Sequence, residues 1–65
     1  MSNEEMIERI REYLRYYPEM HVILDFFSIY GVMTIEILEK NEVVYSNHGT
    51  TLEKRFQSVL EYFGL

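Results

Sequence analysis

Apolar positions along this chain change period twice. Over residues 2–17, Met6, Ile10, Tyr13, Leu14 and Tyr17 recur at three- and four-residue steps, with Ile7 alongside. That is the spacing of one helix face. The middle of the chain turns to β-branched and aromatic side chains, in runs at about 20–29, 32–39 and 42–47; such runs predict three strands. Over 50–63 the helical period returns in Leu52, Phe56, Val59, Leu60 and Phe63. The predicted fold is α+β, in the order α-β-β-β-α: a three-stranded antiparallel meander with both helices packed on one face, in a single domain over residues 1–65.

Local signals mark the ends of these elements. Ser2 and Glu5 have capping-box spacing, and Thr50 with Glu53 repeats it. Glu5 and Arg9 also form a favourable i,i+4 pair. Pro18 stops the first helix, because it cannot donate a hydrogen bond and disfavours helical geometry at Tyr17. Gly31 supplies the first strand connection. Lys40-Asn41 fits a two-residue hairpin loop, in which Asn tolerates positive φ. Gly64 is a natural C-cap.

Register turns the pattern into surfaces. A two-residue loop at Lys40-Asn41 sets Ile37 opposite Val44 and Glu36 opposite Tyr45. A loop around Tyr30-Gly31 sets Phe26 opposite Ile35 and Leu24 opposite Ile37. Since side chains alternate faces, one face collects Val22, Leu24, Phe26, Met33, Ile35, Ile37 and Val44, with Ser28 and Ser46 at its edge. This is the expected core face. The other face collects Ile23, Phe27, Ile29, Val32, Leu38, Val43 and Tyr45, beside Asp25, Thr34, Glu36 and Asn47. Two helices suffice for one face of three strands, so this second face is expected to be left uncovered. It would measure on the order of 14 by 25 Å, near the upper end of apolar patches on ordinary monomers.

Composition narrows the function classes. A chain of 65 residues buries only about 60% of its unfolded surface, and folds of this size usually add disulfides, a metal or a partner chain. There is no Cys, hence no disulfide and no thiolate metal site. His21 and His48 sit in no ligand-spaced motif, so no metal or cofactor is expected and a partner chain remains. No apolar run approaches the roughly 20 residues of a membrane-spanning helix, so no membrane partner is expected. The acidic start, MSNEEMIERI, is unlike a signal peptide, which with the lack of Cys predicts a cytoplasmic setting. Net charge is −5, and the segment from Glu19 to His48 holds five acids and one base. An acidic sheet argues against direct nucleic-acid binding, which needs clustered Lys and Arg.

Candidate chemistry is sparse. No phosphate loop, HExxH, GxSxG or calcium loop occurs. The register above sets Asp25 opposite Glu36, a like-charge pair that is destabilising and in which one acid would have its pKa raised. Without an accompanying His or oxyanion donor it supports no enzyme. Asn47-His48-Gly49-Thr50-Thr51 precedes a helix start and could hold an anion, but reads more simply as a turn and an N-cap. Tyr13, Tyr16 and Tyr17 with Arg11 and Arg15 could be a contact patch; the simpler reading is Tyr13 and Tyr17 at the core edge and Tyr16 exposed.

The expected function is therefore a small, acidic, non-enzymatic protein-interaction domain. It is expected to self-associate as a homodimer through the second sheet face or a sheet edge, with Ile23, Phe27, Ile29, Val32, Leu38, Val43 and Tyr45 as interaction residues. The alternative is an inhibitor or decoy of the phage type, whose acidic surface blocks a basic site on another protein.

Overall fold

Residues 1–26 and 30–65 are described by the computed structural model. Helix α1 spans Asn3–Arg15, strands β1, β2 and β3 span Met20–Phe26, Met33–Glu39 and Glu42–Gly49, and helix α2 spans Leu52–Phe63. The strands form one antiparallel sheet in the order β1-β2-β3, so the fold is the expected α-β-β-β-α arrangement. Phe27, Ser28 and Ile29, expected in the first strand, lie outside the described residues.

The helix signals act mostly as their chemistry dictates. The Ser2 hydroxyl accepts from the Glu5 N–H at 3.2 Å, and the Glu5 carboxylate accepts from the Ser2 N–H at 3.5 Å. Glu5 is thus committed to the cap, and the ion pair on this helix is Arg11 with Glu8 at 3.9 Å. Being exposed, it contributes little. Helix α2 starts later than expected: its N-cap is Thr51, not Thr50, and the Thr51 side chain makes no capping bond. Gly64 ends it with φ +76°, a conformation glycine adopts without steric cost.

Ile35 and Ile37, both fully buried, sit under Met6 and Ile10 of α1 and Phe56, Val59 and Leu60 of α2. Both helices therefore lie on one face of the sheet. The thinnest extent of the molecule is 15 Å, room for one sheet and one helix layer, which pack about 10 Å apart, and for no third layer.

Two register details differ from expectation. Phe26 pairs with Met33 and Leu24 with Ile35, two residues away from the predicted match. A shift of two keeps every side chain on its face. It also sets Asp25 opposite Thr34 and Glu36 opposite Ile23, so the expected Asp25–Glu36 clash does not form. On the other side, Leu38 pairs with Val43 but Ile37 pairs with Tyr45. This β-bulge leaves Val44 as the extra residue and reverses the faces of everything beyond it. Val44, expected in the core, is 42% exposed. Tyr45 and Asn47, expected on the open face, move to the helix side, and Ser46 moves off the core-face edge.

The β2–β3 turn shows why the hairpin keeps its tight start. Lys40 and Asn41 have φ of +53° and +67°, the positive pair that a type I′ loop demands. Lys is a poor residue there, at a cost of about 1 kcal/mol. Lys40→Asn combined with Asn41→Gly is expected to raise Tm by roughly 4–8 °C, as a thermal melt followed by circular dichroism would read.

Candidate protein-interaction surface

Row by row, the open face reads His21–Leu38–Val43, then Ile23–Glu36–Ser46, then Asp25–Thr34–His48. Apolar side chains gather toward the Lys40-Asn41 end, and polar ones occupy the rest. Of the expected interaction residues, Ile23, Leu38 and Val43 are on this face, with Ile23 and Val43 exposed and Leu38 half-buried. Val32 precedes β2. Phe27 and Ile29 lie outside the described residues. Tyr45 does not belong, because the bulge turns it to the helix side. The continuous apolar face expected from strict alternation is therefore not assembled among the described residues.

On the helix side, Tyr45 closes an aromatic seam. Tyr17 stacks on Tyr13 at 4.6 Å between ring centroids, Tyr13 on Phe63 at 4.1 Å, Tyr62 meets Phe63 edge-on at 5.9 Å, and Tyr45 meets Tyr62 at 5.0 Å. Five rings thus tie α1 to α2 and α2 to β3. Burial among its neighbours, and then the adjacent Tyr17, push the Tyr13 phenol above its ordinary value of 10.0. Tyr16 is exposed, as expected. The tyrosines of the aromatic–basic cluster accordingly belong to a packing seam, with Tyr13 half-buried and Tyr17, expected at the core edge, exposed at the outer end.

The Asn47–Thr51 segment is not the expected turn. Asn47, His48 and Gly49 continue β3. The Asn47 amide donates to the Tyr45 hydroxyl at 2.9 Å and to the Ser58 hydroxyl, which in turn donates to the Arg55 carbonyl at 2.6 Å. The Arg55 guanidinium rests on Gly49, where an added Cβ would lie within 2.7 Å of it. Arg55 Nε and Nη1 and Asn47 Oδ1 are buried with no hydrogen-bond partner among the described residues.

A different surface stands open at β1. Among the described elements, α2 reaches β2 and β3 while α1 packs chiefly along α2. A cleft of about 210 Å³ is left between α1 and β1, lined by Ile7, Leu14, Val22, Leu24, Ile35 and Phe56 among others. Beside it Phe26 is 74% exposed and Ile7 is also exposed. β1 is an edge strand, so its outer backbone groups have no strand partner among the described residues. Sequence reasoning placed Val22, Leu24 and Phe26 on the core face correctly and assumed the helices would cover them. The signal it passed over was Ile7, which stands beside the α1 stripe and widens it toward β1.

Among the described residues no group of three or more His, Asp or Glu is placed to hold a metal ion, and no helix is long and apolar enough to cross a membrane. Compared with known proteins, the chain matches no protein-family model, no curated protein and no solved structure.

Proposed function

We propose that this chain is a small, non-enzymatic protein-interaction domain that self-associates as a homodimer. The observation that carries the reading is the β1 side of the molecule. There a strand edge unpaired among the described residues, an apolar cleft and the exposed Phe26 and Ile7 side chains lie together. Clustered exposed apolar groups of this kind favour burial against another protein, and twofold dimers are the commonest way to achieve it. A 65-residue fold gains stability from such burial.

Light scattering during size exclusion tests this. The expected mass is about twice 7.9 kDa, persisting in high salt because apolar contacts are not screened. A mass of one chain at every concentration overturns the reading.

The decoy reading has one observation in its favour. Asp25 and Glu36 lie on the open face, and neither acid has a Lys or Arg partner among the described residues. It predicts capture of a basic protein, with binding that collapses as salt rises.

A further inference from the structure

Resting on the self-association proposed above, we propose that β1 pairs antiparallel with β1 of a second copy in a register centred on Ile23. The two sheets then join into one sheet of six strands. The backbone geometry of the edge supports this directly. The Lys40 N–H donates to the Glu19 carbonyl at 3.0 Å, which makes Glu19 and Lys40 a hydrogen-bonded pair. Such pairs alternate along an antiparallel ladder. His21, Ile23 and Asp25 therefore turn their backbone groups toward β2, while Val22, Leu24 and Phe26 turn theirs outward. The outward N–H of Met20 is already given to the Tyr17 carbonyl at 2.9 Å.

The two edges of the sheet are unlike. Natural edges are guarded by Lys, Pro, bulges or charges. β3 carries the bulge and begins with Glu42. β1, MHVILDF, has no Lys, Pro or bulge, and its single charged side chain is Asp25.

The strand also complements itself. With Ile23 on the twofold axis, each residue of β1 faces one in the second copy, and only the end pair Met20–Phe26 forgoes a backbone bond, because the Met20 N–H is held by Tyr17. Val22 meets Leu24 of the second copy in a pair that exchanges both backbone bonds. His21 meets Asp25 of the second copy, twice over, in the pair type that holds side chains closest. Centring on Leu24 instead would leave Met20 and His21 without partners in the copy's β1 and set Ile23 against Asp25. Because Val22 and Leu24 line the cleft against α1, the same pairing brings the two clefts side by side and covers their apolar walls.

The chain has no Cys, so introduced thiols report cleanly. Ile23→Cys is expected to form an intermolecular disulfide under mild oxidation, since the two Cα atoms would be about 4.5 Å apart, within disulfide reach. Val22→Cys chains mixed with Leu24→Cys chains are expected to cross-link to each other, and neither alone. These two side chains point to the helix side, so a dimer joined through the open faces keeps them apart. His21→Asp should raise the dissociation constant by about tenfold by creating two like-charge pairs, and adding Asp25→His should restore it. A dimeric mass without the Val22–Leu24 cross-link, or without rescue, overturns this register while leaving self-association standing. A monomeric mass for the unaltered chain removes both.

Discussion

Ile37→Ala is expected to remove about half of this protein's stability. Ile37 is fully buried at the centre of β2, in the cluster formed by Met6, Ile10, Ile35, Phe56, Val59 and Leu60. Truncating such a side chain costs about 2–5 kcal/mol, because the transfer term and the cavity term add. A fold of 65 residues has roughly 3–10 kcal/mol to lose. The neighbouring Leu38→Ala offers the contrast: Leu38 is half-buried on the open face, and its loss should cost about 1 kcal/mol. Urea titrations of the two variants read the difference as a shift in midpoint. Equal losses would mean that the sheet has no preferred covered face.

Tyr45→Ala should cost about 2 kcal/mol, and Val44→Ala less than about 0.5 kcal/mol. The reason is the bulge. It places Tyr45 opposite Ile37, packs it beside the core and Tyr62, and lets its hydroxyl accept from Asn47. Val44 is left in solvent. An unbulged hairpin reverses the faces and demands the reverse order, with Val44 the costly deletion. Chemical denaturation of both variants therefore reports the register without a structure. If self-association is strong, the measurement belongs at fixed chain concentration, because dimerisation itself adds to apparent stability.

Element types and order were legible from periodicity, since a helix and a strand repeat their buried positions at different intervals. The cap at Ser2, the αL residue at Gly64 and the hairpin at Lys40-Asn41 were legible because each rests on the local chemistry of one or two residues, whereas α1 ends at Arg15, two residues short of the end expected at Tyr17 before Pro18. The covered face of β2 was legible too. Met33, Ile35 and Ile37 alternate with Thr34, Glu36 and Leu38, and only one of those sets is apolar throughout.

The candidate interaction surface depended on terms that no local pattern contains. Strict alternation carries Tyr45 to the open face, and a single extra residue at Val44 returns it to the core. That choice is made by the partners Tyr45 and Asn47 find on α2, Tyr62 and Ser58, which are distant in sequence. The β1–β2 match slid by two residues, a change that faces and propensities do not register, because both alignments bury the same side chains. Coverage of β1 was decided by where α1 settles: along α2, leaving Val22, Leu24 and Phe26 partly open beside it. The sequence by itself thus determined which segments form helices and strands and which side of β2 is buried, through short-range periodicity and capping. Only the tertiary structure decided the bulge, the register and the uncovered edge, because each follows from the packing of elements far apart in the chain.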